Sequence, residues 1–200
     1  FDFFDGFFAR MFGVSSQVGV ELDSLADMVT SGVVPGLMMY KLLNNHYLGF
    51  ETFDATNFTH YLPFLGFVLT ASAAYRLAKF NAETHEHDDF LGLPTPSMSA
   101  FVMSIPLVIS FTTLPVLFKI FSSPVFYIVA IVILSLLMNS NIPLLSLKLK
   151  STRFADNVAL YVLIILSVLL LVVLNFTAIP LIIALYVIFS LGHSWTKKNS

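Results

Sequence analysis

Long stretches without a single charged residue constrain this chain more than any other feature. No Asp, Glu, Lys or Arg falls between Asp89 and Lys119, between Lys119 and Lys148, or from Asn157 to Gly192. Each stretch exceeds the roughly 20 apolar residues that a helix needs to cross the hydrocarbon core of a bilayer. Composition agrees: 57% of the 200 residues are hydrophobic and 11% charged, against about 25% charged in a soluble globular domain. Ten basic and twelve acidic side chains are too few to coat a water-facing surface, which points to a membrane protein. The net charge of −2 gives no sign of a nucleic-acid partner, since such a partner normally demands a basic patch. With no cysteine there is no disulfide, no thiolate metal site and no cysteine nucleophile.

The predicted fold is an all-α polytopic membrane protein, a helical bundle. Full spans are expected at 20–43, 60–81, 97–118, 122–142, 156–174 and 178–193, six in all, after an opening helix that reads as truncated. The last two are separated by a turn at Asn175-Phe176-Thr177-Ala178-Ile179-Pro180. Pro106, Pro115, Pro143 and Pro180 are expected as kinks or span ends. When the spans alternate, Arg10, Arg76, Lys79, Lys148, Lys150, Arg153, Lys197 and Lys198 collect on one side, against Lys41 and Lys119 on the other. The positive-inside rule puts the first group in the cytoplasm. Within one membrane domain, 1–200, residues 1–150 form the expected core and 151–200 a C-terminal helical hairpin.

Acidic side chains in or beside apolar helices are costly, and so are candidates for function. Asp2 and Asp5 stand three apart; Gly19, Asp23 and Asp27 stand four apart, so each set shares one face of a helix. Two such helices in a hairpin bring four carboxylates into one pocket. Like charges at close range raise one another's pKa unless something compensates. Hard divalent cations such as Mg²⁺, Mn²⁺ or Ca²⁺, which prefer oxygen ligands, would compensate, and two of them can clamp a pyrophosphate. Gly6, Ala9 and Gly19 leave room for a ligand beside the backbone, and Arg10 supplies a phosphate or base contact.

These residues carry a resemblance. Asp2-x2-Asp5-Gly6-x2-Ala9-Arg10-x8-Gly19-x3-Asp23-x3-Asp27 matches every fixed position of the signature of the CDP-alcohol phosphotransferase family. The resemblance implies cleavage of a CDP-alcohol at its pyrophosphate, transfer of the phospho-alcohol to a second alcohol, and release of CMP. It implies that Asp2, Asp5 and Asp23 bind metal, with Asp27 as a further ligand or the general base, and that Asp2, Gly6, Ala9, Arg10 and Gly19 shape the CMP pocket. The family's first helix and the start of its second precede this signature, so residues 1–150 read as a core lacking both.

Further runs are similar to the membrane-integral phosphatidylserine synthase branch: Leu22-Asp23-Ser24-Leu25-Ala26-Asp27 with Gly32-Val33-Val34-Pro35, Arg76-Leu77-Ala78-Lys79-Phe80-Asn81, Gly92-Leu93-Pro94-Thr95-Pro96, and Asn139-Ser140-Asn141-Ile142-Pro143. Ser31 stands where that branch usually has Phe, and Lys79 where it has Arg. The branch implies CDP-diacylglycerol and L-serine as substrates, a divalent metal (Mg²⁺ or Mn²⁺, two ions), a site at the cytoplasmic membrane face, and a homodimer. Arg76, Lys79, Asn81 and Lys148 are candidates to hold the lipid phosphate or serine's carboxylate; snorkelling to headgroups is the alternative for the basic ones. Glycerol 3-phosphate or inositol phosphate remain open as acceptors, and intramembrane carboxylates also suit an ion-coupled transporter. His85, His87 and Asp88 read as a solvated loop, and no serine has a histidine partner for a hydrolase triad.

Overall fold

A computed structural model of the chain describes residues 17–49, 51–82, 91–142, 144 and 158–198. No β-strand occurs among the described residues. Helix α1 (Gln17–Met28) passes through a π-turn (Val29–Val33) into α2 (Val34–Tyr47), so the span expected at 20–43 is a continuous helical rod with one widened turn. A 3₁₀ segment (Phe58–Leu65) leads into α3 (Gly66–Ala82). Next come α4 (Thr95–Phe111), the short α5 (Pro115–Phe121), α6 (Pro124–Asn139), α7 (Val158–Leu174) and, after a 3₁₀ turn (Asn175–Thr177), α8 (Ala178–Lys198).

One expected span is corrected. Residues 97–118 are not a single helix: α4 ends at Phe111, Thr112 and Leu114 are extended, and α5 starts at Pro115. Pro115 disfavours helical dihedrals at the residue before it, and the Leu114 N–H turns to the Thr112 hydroxyl at 3.3 Å. The short helix therefore joins the next element, meeting α6 at a 65° bend. Phe58–Ala82 and Leu160–Gly192 are long and apolar enough to cross a membrane, and α5 with α6 makes a third such segment when the bent pair is taken together. Among the described residues that is fewer than the six expected full spans. α1 carries Glu21, Asp23 and Asp27, and α4 is only 17 residues long. Leu160–Gly192 counts as one stretch although Asn175 interrupts it with a φ of 49°. Asn tolerates that left-handed conformation better than most residues, and α7 and α8 pack against each other across it.

Helix α2 sits among α3, α4 and α6. Its Met39 and Leu43 meet Leu69 and Ala73 of α3, Met98, Val102, Ile105 and Val108 of α4, and Tyr127, Ile131, Leu134 and Met138 of α6 in one core. The three-and-four spacing of the last two sets is that of a single helix face. Apolar residues also cover outward faces: Val125, Val129, Val132, Ile133 and Leu136 on α6 are exposed, as are Ile165, Val168, Leu169, Val172 and Val173 on α7. An apolar surface of this extent suits hydrocarbon, not water.

The α2–α3 crossing is close because both helices lack side chains there. A Cβ on Gly66 would lie 2.5 Å from the Tyr40 nitrogen and 2.6 Å from the Gly36 oxygen; one on Gly36 would collide with the Thr70 hydroxyl. At the same end as the 3₁₀ entry to α3, Asp54 accepts from the Thr56 N–H at 2.9 Å and from its hydroxyl at 2.8 Å. Those two bonds, with a smaller contribution from His60, hold the Asp54 carboxyl below its ordinary pKa despite slight desolvation. His60 is buried and its Nδ1 accepts from the Asp54 N–H at 2.9 Å, while Asn57 caps the 3₁₀ segment through the Thr59 N–H.

Candidate active site

Asp23 and Asp27 lie one turn apart on α1, Asp23 exposed and Asp27 half-buried, with Gly19 exposed one turn earlier. Helix α3 ends beside them: Asn81 Nδ2 donates to Ser24 Oγ at 2.9 Å, which ties the α3 terminus to the turn between the two aspartates. Close by on α3, Lys79 Nζ donates to Asn141 Oδ1 at 3.1 Å just beyond α6. Asn139 Nδ2 bonds the Ser135 carbonyl at 3.0 Å and reaches toward that of Ser72 at 3.5 Å. The α1 turn that bears the carboxylates, the basic end of α3 and three side-chain amides thus gather at one end of the bundle.

That end is closed by a backbone contact. Gly92 N–H donates to the Ile142 oxygen at 2.9 Å and Leu93 N–H to the Leu137 oxygen at 3.0 Å. The approach requires glycine: Gly92 has a φ of +71°, and a Cβ there would stand 2.5 Å from the Met138 oxygen. The Gly92–Pro96 and Asn139–Ile142 runs, far apart in sequence, therefore form one unit in which the first caps the open carbonyls of α6. Buried Leu93 and Thr95 anchor it.

Two buried polar atoms at this end, Arg76 Nε and Asn139 Oδ1, have no hydrogen-bond partner among the described residues. A buried donor and a buried acceptor left unsatisfied are costly, and a polar ligand satisfies such groups. Tyr186 of α8, itself buried, lies near Arg76, so the C-terminal helix also borders the site.

Of the residues expected from the sequence, Gly19, Asp23 and Asp27 lie on α1 and Arg76, Lys79 and Asn81 on the last turns of α3, and the Ser24–Asn81 bond joins the two helices. Asp2, Asp5, Gly6, Ala9, Arg10 and Lys148 lie outside the described residues. Among the described residues no three His, Cys, Asp or Glu side chains group to hold a metal. Asp23 and Asp27 are hard oxygen donors on one helix face and fit a Mg²⁺- or Mn²⁺-type ion by donor chemistry. Ser24, Asn139, Asn141 and Tyr186 were not expected as site residues. Asn139 and Asn141 stand in a run whose family resemblance was legible, whereas Tyr186 sits in an apolar helix with no local signal.

Residues 1–190 match the family described as CDP-alcohol phosphatidyltransferase. A CDP-diacylglycerol–serine O-phosphatidyltransferase of Bacillus subtilis is 37% identical over 123 residues, covering 60% of this chain and 59% of that protein. The enzyme of the same name from Helicobacter pylori strain 26695 is 29% identical over 192 residues, 95% of this chain and 73% of its own length. That of Saccharomyces cerevisiae is 36% identical over 114 residues, 52% and 37% of the two chains. The chain thus covers less than two thirds of the Bacillus and yeast proteins. With its family match running from the carboxylate segment through most of α8, the chain belongs to the CDP-alcohol phosphatidyltransferase family.

Proposed function

We propose that this protein transfers the phosphatidyl group of CDP-diacylglycerol to L-serine, giving phosphatidylserine and CMP. The observation that carries the reading is the Ser24–Asn81 bond, which ties the turn of α1 bearing Asp23 and Asp27 to the Arg76–Asn81 end of α3. The shared name of the Bacillus, Helicobacter and yeast relatives supports the two substrates.

In this reading Asp2, Asp5 and Asp23, with Asp27 as a further ligand or the general base, would hold one or two divalent ions, Mg²⁺ or Mn²⁺. Held there, such ions would supply positive charge to the pyrophosphate and to the leaving phosphate. Gly6, Ala9 and Gly19 leave space for the cytidine nucleotide, and Arg10 contacts its phosphate. The Asp27 carboxylate takes the proton of serine's hydroxyl as that oxygen bonds to the phosphorus bearing diacylglycerol. The bond from this phosphorus to the bridging oxygen breaks, and CMP departs. Arg76, Lys79, Asn81 and Lys148 hold the lipid phosphate or serine's carboxylate, and the unsatisfied Arg76 Nε and Asn139 Oδ1 supply a donor and an acceptor there. The site lies at the cytoplasmic face, where the eight basic residues gather in a six-span arrangement. Residues 1–150 carry the chemistry, 151–200 form the hairpin, and the protein works as a homodimer.

The test is an assay of the purified full-length protein with CDP-diacylglycerol, Mn²⁺ or Mg²⁺, and serine, glycerol 3-phosphate or inositol phosphate in turn, following CMP. Release is expected with serine. Release with another acceptor but not serine overturns the acceptor assignment, and no release with any acceptor overturns the transferase reading. Membership of a transferase family leaves the ion-coupled transporter without support.

A further inference from the structure

The π-turn between α1 and α2 has an identifiable cause and an unusual set of supports. Pro35 has no N–H, and its ring would collide with the carbonyl four residues earlier, that of Ser31, in an uninterrupted α-helix. The chain widens instead: Val34 N–H bonds the oxygen of Val29, five residues back. In this wider register Thr30 O faces Pro35, which again offers no donor. Hydroxyl groups take up the slack. Thr70 of α3 donates to Gly32 O at 3.1 Å, Ser99 of α4 approaches Thr30 O at 3.5 Å, and Thr30 bonds back to Ala26 O at 2.9 Å. A threonine in a helix usually turns its hydroxyl to its own preceding turn; Thr70 instead crosses to another helix through the gap left by Gly36.

One residue added to a helix rotates the segment before it by about 100° relative to the segment after it. Asp23 and Asp27 precede the turn, while buried Pro35, Gly36, Met39 and Leu43 come after it. Ser31 and Gly32, inside the turn, are buried as well. We infer that the π-turn, formed by Pro35 and held by the Thr70 hydroxyl, sets the direction in which Asp23 and Asp27 point, making Thr70 and Pro35 positioning residues for the carboxylates. The inference rests on the proposed metal-binding role of those two aspartates. It does not require serine to be the acceptor.

The test measures Mn²⁺ affinity by electron paramagnetic resonance in the full-length protein, alongside thermal unfolding and CMP release. Thr70→Val, which keeps the shape and loses the hydroxyl, is expected to weaken Mn²⁺ binding roughly ten-fold, the low end of the cost of removing support behind metal ligands. Thr70→Ser should restore it to within about two-fold of the unaltered protein on that scale. Pro35→Ala regains a backbone donor and should leave the unfolding temperature equal or higher while still weakening Mn²⁺ binding; it remains informative if Thr70→Val does not fold. Unchanged affinity in Pro35→Ala, or failure of Thr70→Ser to restore it, overturns the inference. No Mn²⁺ binding by the unaltered protein overturns both this inference and the reading of the site. Metal effects as expected without CMP from serine overturn only the acceptor.

Discussion

Asp27 and Asp23 share a helix face but differ in surroundings. Asp23 is exposed, whereas Asp27 is half-buried and closer to the packed π-turn. A base must stay near the substrate and shielded from bulk water, while a metal ligand only has to face the ion, so the two replacements should separate. Asp27→Asn is expected to lower turnover by about 10²–10⁴-fold, the usual worth of general acid–base catalysis, with CDP-lipid binding still measurable. Asp23→Asn should raise the metal concentration needed for half-maximal rate and weaken CDP-lipid binding together. Near-normal turnover in the first variant removes Asp27 from the role of base; an unchanged metal titration in the second removes Asp23 as a ligand. At this scale the sequence is informative where a pattern is local: carboxylates at fixed spacing carry the family resemblance that the match over residues 1–190 shows. It was silent on Asn139 and Tyr186 as neighbours of the Arg76 end, because no spacing rule links positions that distant in the chain.

Among the elements, apolar runs located most helices, since burial and lipid exposure both demand the same residue types. Hydropathy could not register the break at Thr112–Leu114, where apolar residues continue on both sides and only the backbone restriction before Pro115 matters. The π-turn escaped for a related reason: one extra residue leaves hydropathy unchanged while rotating a whole helix. The crossing of α2 and α3 was equally invisible, because Gly36 and Gly66 become meaningful only when placed opposite one another. Gly66→Ala is expected to destabilise the protein by about 1–3 kcal/mol, since the new methyl meets backbone atoms that cannot swing aside. Thermal unfolding in detergent measures this, and an unfolding temperature equal to that of the unaltered protein would show that the crossing is looser than described.

Across the whole molecule, the alternation of helix directions places the α3 terminus, the start of α4 and the end of α6 at one end, with the α2–α3 and α7–α8 connections at the other. The absence of native cysteine makes the predicted orientation directly measurable. A Glu51→Cys label site should react with an impermeant thiol reagent from outside intact cells, and an Ala82→Cys site only after permeabilisation. The opposite pattern would invert the proposed topology, and equal access to both would remove the intervening span.

The glycine crossing also acts as a fulcrum. Arg76 stands ten residues beyond Gly66, a lever of about 15 Å at the helical rise per residue. A change of roughly 4° in the angle at the crossing carries its guanidinium about 1 Å, and misplacement on that scale can cost on the order of 100-fold in rate. The separation of two glycine backbones deep in the bundle would thus set a mechanical tolerance on the reaction proposed for its end.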